Sequence, residues 1–266
     1  MKDNKKLGAI VAVLGIFTGL LTLYLLASIY NPTIAGKIAD GRPDEALTVK
    51  IVFAMLGWLG LSAGAIWVAV LYGFLHNEKW AWFWGTVAAT IQILAGFFPI
   101  IPPASIGLPM PTVWVFVLAF ALWFMMLLIR GIDKKIIGVA FAAGLAYIFA
   151  YIDGVGAISR FQTVPESFPN GMYAMSQMVN WWASAAWAVF IFALVKGKKW
   201  VLPMGIFAAT MSIFGGFPVG LTDVVRIHRF SMFLPSPIIG TGMLIYMLLP
   251  GTKKLLEKWH ATVSAG

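Results

Sequence analysis

The chain has 266 residues, 61% of them hydrophobic and only 11% charged, with a net charge of +9. Soluble domains carry about 25% charged residues, so this composition excludes an ordinary soluble fold. The absence of cysteine excludes disulfides, thiolate catalysis and thiolate metal sites.

Continuous apolar runs near 20 residues mark transmembrane helices, because roughly 20 helical residues cross a hydrocarbon core of about 30 Å. A membrane β-barrel would instead show alternating segments of about ten residues. Eight spans are predicted in chain order, at residues 7–30, 49–75, 81–101, 112–130, 136–153, 173–196, 200–219 and 232–250. The first follows Lys2, Lys5 and Lys6 but is longer than a signal-peptide core, and reads as a retained helix. The last is the weakest, opening with Pro235 and Pro237 and containing Gly240 and Gly242.

Eight spans put both termini and the connections after spans two, four and six on one side. That side holds Lys2, Lys5, Lys6, Lys79, Arg130, Lys134, Lys135, Lys196, Lys198, Lys199, Lys253, Lys254 and Lys258 against four acids. The other side is neutral. The positive-inside rule therefore predicts cytoplasmic termini and a multi-pass protein of the plasma (inner) membrane. The whole positive charge faces lipid headgroups, which argues against nucleic acid as a partner.

The chain also resembles itself. Lys79–Phe97 and Lys199–Phe217 match at nine of nineteen positions, including Lys79/Lys199, Trp80/Trp200, Gly85/Gly205 and Thr90/Thr210. The same 120-residue offset pairs Trp67 with Trp187. The expected fold is an all-α integral membrane protein built as two tandem parallel four-helix repeats. These occupy residues 1–131 and 132–250, with a basic cytoplasmic tail at 251–266. Parallel repeats relate by an axis along the membrane normal, and transporters that use repeats place sites at the repeat interface.

The repeats differ in polarity. Gln177, Asn180, Trp181, Ser184 and Trp187 fall on one face of span six. Their counterparts in span two are Gly57, Gly60, Leu61, Gly64 and Trp67. This face is either a helix contact, where small and amide residues pack membrane helices, or the lining of a ligand pocket. The connection after span seven holds Asp223, Arg226, His228 and Arg229. If it is helical, Asp223 lies within reach of Arg226. With Asp153 and Arg160 these residues form a candidate charged mouth on the non-cytoplasmic side, since arginine suits carboxylate and phosphate groups. Asp153 is expected at the membrane interface. The deep tryptophans Trp58, Trp67, Trp181, Trp182 and Trp187 are expected in the core.

None of the three histidines, His76, His228 and His260, lies mid-span, which argues against a bis-histidine haem. Walker A, HExxH and dinucleotide-binding motifs are missing. No catalytic, metal or cofactor site is predicted. The leading expectation is a protein that binds or transports a small molecule or lipid between the repeats, open to the non-cytoplasmic side. Two alternatives stay open: a non-catalytic subunit or assembly factor of a larger membrane complex, and an enzyme acting on a lipid headgroup or periplasmic substrate. The expected partners are the bilayer, other membrane subunits or a second copy of the chain.

Overall fold

The structure is a computed structural model that describes residues 4–264. Lys2 and Asp3, which enter the charge balance, and residues 265–266 of the expected tail lie outside the described residues. The described chain is helical, with no strand. It divides between Ile132 and Asp133 into two compact units.

The first unit contains α1 (Lys5–Ala39), α2 (Pro43–Leu75), α3 (Ala81–Phe97), a 3₁₀ turn at Phe98–Ile100, the short α4 (Ile101–Ala104) and α5 (Val113–Arg130). The second contains α6 (Lys134–Thr163), α7 (Ser167–Val195), α8 (Val201–Ile227), α9 (Pro235–Leu248) and α10 (Pro250–Ser264). In the first unit α2 packs on α1, α3 on α2 and α5 on both α3 and α1. In the second, α7 packs on α6, α8 on α7 and α9 on both α8 and α6.

Seven described helices, α1, α2, α3 with its α4 extension, α5, α6, α7 and α8, are long and apolar enough to cross a membrane. The chain is a multi-pass helical membrane protein. The eighth apolar helix, α9, has 14 residues, about 21 Å at 1.5 Å per residue. Large apolar side chains such as Phe17, Trp58, Phe168, Met175, Trp182 and Phe214 cover the outside, as a lipid-facing surface requires.

The helices overrun several predicted spans. α1 continues to Ala39, α2 starts at Pro43, α6 continues to Thr163, α7 starts at Ser167 and α8 continues to Ile227. Hydropathy marks only the part of a helix that suits hydrocarbon, whereas backbone hydrogen bonding continues wherever the polar end residues find partners. Residues 250–264, which cover most of the expected tail, form α10. Trp259 Nε1 donates to the Leu194 carbonyl over 2.6 Å, and His260 Nδ1 lies 2.5 Å from the Gly197 carbonyl. These contacts dock α10 on the α7–α8 turn.

That turn and its counterpart between α2 and α3 are alike. Each needs one left-handed residue, Asn77 (φ 60°) in the first unit and Gly197 (φ 56°) in the second. Asparagine and glycine are the residues that enter this region at least cost.

The glycines of span two act as packing surface. A Cβ on Gly19 would sit 2.7 Å from Gly64 Cα, so the α1 and α2 backbones touch there. Gly15 makes room for the Trp67 ring, and Gly60 for Thr22. Trp67 and Trp187 are fully buried. Trp58 and Trp182, expected in the core, are instead more than 60% exposed.

Candidate functional site

Each unit has a polar centre built on its buried tryptophan. In the first, Trp67 Nε1 donates to Gln92 Oε1 over 2.9 Å, and Gln92 Nε2 donates to the Gly15 carbonyl over 2.9 Å. One glutamine thus ties α1, α2 and α3 together. In the second, Trp187 Nε1 donates to Ser212 Oγ over 2.8 Å. The two contacts span the same 25 residues, and both partners are displaced by 120. Serine is too short to reach a third helix.

The polar face of α7 does not act as one surface. Asn180, Ser184 and Trp187 are buried, while Gln177 is partly exposed and Trp181 is 40% exposed. Ser184 Oγ donates to the Tyr147 carbonyl of α6 over 3.2 Å. Asn180 Nδ2 approaches the Gly215 carbonyl of α8 at 3.4 Å. Trp181 stacks on Tyr151, ring centres 6.3 Å apart, and its indole fills the space left by Gly154.

The charged residues divide into two groups. Asp223, fully buried near the end of α8, accepts from Tyr173 Oη and from Ser231 Oγ, each over 2.7 Å. Arg160 Nε lies 3.9 Å from Asp223 Oδ1, and Ser231 Oγ also accepts from the Phe233 amide over 3.1 Å. The segment through Arg226 is helical, yet Asp223 does not pair with Arg226. Asp223 turns into the unit, whereas Arg226 reaches Glu166 at the start of α7, 3.6 Å away. His228 caps α8 in the left-handed region (φ 53°). His228 and Arg229 are exposed and lie beyond the helix.

Asp153 stands apart. The sequence places it at the interface, where a carboxylate costs little. Its side chain is 0% exposed, and neither oxygen has a hydrogen-bond partner among the described residues. It lies on the buried stripe of α6, between Ala146 and Ala150 on one side and Ala157 on the other. Ser184 at Tyr147 and Trp181 at Gly154 set the antiparallel register of α6 and α7. That register places Asp153 level with the α7 turn holding Gln177 and Asn180. Asn180 Oδ1 is likewise buried without a partner. Buried polar atoms are ordinarily hydrogen-bonded, because leaving one unmatched costs about 1–3 kcal/mol and more for a charge. Three unmatched acceptor oxygens in one helix layer therefore mark a site that wants a donor.

The first unit carries its own end cluster, which sequence reasoning missed. Lys37 Nζ, almost fully buried, contacts Glu45 Oε2 at 2.7 Å and Ser105 Oγ at 2.8 Å. Arg42 joins Glu45 at 3.1 Å and also pairs with Asp40. The usable signal was Lys37 and Glu45 flanking the short Asp40–Arg42 turn. Among the described residues, no group of three or more His, Asp or Glu side chains is placed to hold a metal ion. Comparison with protein families, with curated proteins and with solved structures finds no match to the chain.

Proposed function

We propose that this chain binds and translocates a small solute within its second unit, around Asp153 and Asn180. One observation carries the reading: at one level of α6 and α7, Asp153 and Asn180 present three buried acceptor oxygens without hydrogen-bond partners. An ionisable residue inside a membrane bundle is a functional-site candidate by default. The solute is one that carries hydrogen-bond donors. At the repeat offset the first unit has Gly60 in place of Asn180, and that glycine only packs on Thr22.

The reading includes a duplication that diverged in role. The displaced Trp67–Gln92 and Trp187–Ser212 contacts support it. So do the close approaches of Gly85 to Met126 and of Gly205 to Met247. Helix α9 is then the eighth crossing, packed on α8 and α6 as α5 packs on α3 and α1. On this reading the termini face the cytoplasm and the Asp223 end faces outward, which the distribution of basic residues supports.

The test is native mass spectrometry of the protein extracted gently from its own membrane. A discrete small-molecule adduct is expected, and it disappears in Asn180→Gly while the protein still folds. An adduct that survives Asn180→Gly unchanged removes this site. Stoichiometric partner chains with no adduct would favour a complex subunit, a reading supported by the exposed Trp58 and Trp182.

A further inference from the structure

Asp153 and Asp223 lie in the same unit and are equally buried, but they differ in their partners. Asp223 has two hydroxyl donors and an arginine. Asp153 has none of these. A carboxylate charge in apolar surroundings is costly unless matched. Any charge on Asp153 must therefore be met by an arriving positive group or removed by a proton. The proton is the occupant that needs least space, and Asp153 is walled by alanines on its own helix.

Buried side chains of α6 and α7 lie between Asp153 and the Asp223 end of the unit. Ala157 follows Asp153 on the same face of α6, about 6 Å along the axis. Ala157 packs with Tyr173 and Phe233. Ser176, buried on α7, lies one turn from Tyr173 and between it and Asn180. Tyr173 donates to Asp223, Asp223 is held by Ser231, and Arg160 beside it is partly exposed. The titratable and charged groups around this layer and the Tyr173 end are Tyr147, Tyr151 and Arg160 on α6, Tyr173 on α7, Asp223 and Arg226 on α8, and Glu166 before α7. The only such group on α9, Tyr246, lies toward the opposite end of that helix from Pro235.

We infer that Asp153 is a proton-exchange site, connected to the Arg160–Asp223 end of the second unit through Ser176 and Tyr173. A proton from water at that end binds a carboxylate oxygen of Asp153 and returns to water when it leaves. No other bond changes. The inference builds on the site proposed above and gives its translocation an ion to couple to.

The test is infrared difference spectroscopy of the full chain in lipid bilayers, with aspartate carbon-13 labelled at the side-chain carboxyl. An isotope-shifted COOH carbonyl band is expected whose intensity follows bulk pH and which moves on transfer to D₂O. Asp153→Asn loses this band, and Asp223→Asn keeps it. Asp153→Glu, where the asparagine variant fails to fold, restores a titrating band without the isotope shift. Tyr173→Phe keeps the band but slows its response to D₂O. A band unchanged in Asp153→Asn, or one insensitive to both pH and D₂O, overturns the proposal. The mass-spectrometric adduct is a separate readout. An unaltered chain without any adduct, or an adduct that survives Asn180→Gly, with the band intact sinks the solute site and leaves proton exchange standing.

Discussion

The Tyr173 hydroxyl and the Asp223 carboxylate meet over 2.7 Å, both side chains fully buried, at one end of the second unit. Tyr173 comes from α7 and Asp223 from α8, so the contact fastens two helices where their apolar stretches run out. At the 120-residue offset the first unit has Phe53 and Pro103. Phe53 is buried as Tyr173 is, so the ring position is common to both units and the hydroxyl is particular to the second.

Tyr173→Phe therefore removes a hydrogen bond without emptying the site. The expected loss is about 1.5–3 kcal/mol, the range for hydrogen bonds to charged groups. Asp223→Ala is expected to cost more, because it strands the Tyr173 and Ser231 hydroxyls and the Arg160 charge together. Denaturant-induced unfolding in mixed micelles measures both. Equal losses for the two variants would mean that the carboxylate does not organise this cluster.

Lys37 and Glu45 allow a sharper test in the first unit. Removing one partner of a buried pair leaves an uncompensated charge and costs about 3–5 kcal/mol, whereas an apolar replacement of both is often neutral or stabilising. Glu45→Leu is expected to be strongly destabilising, and Lys37→Met combined with Glu45→Leu much less so. Unfolding midpoints of the two singles and the double check this. Additive losses in the double variant would show that Arg42 and Ser105, not the Lys37–Glu45 pair, dominate the cluster.

Hydropathy located the helix cores, because crossing hydrocarbon leaves a continuous apolar signature. It missed the helix ends, where Lys37 meets Ser105 and Arg160 meets Asp223, residues far along the chain. Such pairings have no local signature. Asp153 illustrates the same limit. Its position in the chain suggests the interface, and only the packing of α6 against α7 shows the side chain turned inward. The polar residues of span six were visible as a face, yet their division among α6, α8 and the outside depends on neighbours that spacing does not identify.

The glycines predict two opposite outcomes. A Cβ on Gly154 would overlap the Trp181 indole, and one on Gly19 would meet the Gly64 backbone. Alanine at either position is expected to cost about 1–3 kcal/mol, as overpacking does. Gly138 and Gly144 face open space. Alanine there is expected to be neutral, or stabilising by up to about 1 kcal/mol through helix propensity. Parallel unfolding of the four variants decides it, and a destabilising Gly138→Ala would reveal an occupant of that open face.

The Trp187–Ser212 and Trp67–Gln92 contacts should differ in strength because they differ in reach. Hydrogen bonds between membrane helices average about 0.6 kcal/mol, with a maximum near 1.7. Ser212→Ala breaks one contact between two helices and is expected near that average. Gln92→Ala breaks two, releasing α1 as well as α2 from α3, and leaves the Trp67 indole N–H buried without a partner. It is expected to cost at least twice as much in the same unfolding assay. A double-mutant cycle with Trp67→Phe isolates the indole part, so the remaining loss measures the Gly15 carbonyl contact. A remaining loss of zero would mean that α1 is held by its glycine packing on α2 alone.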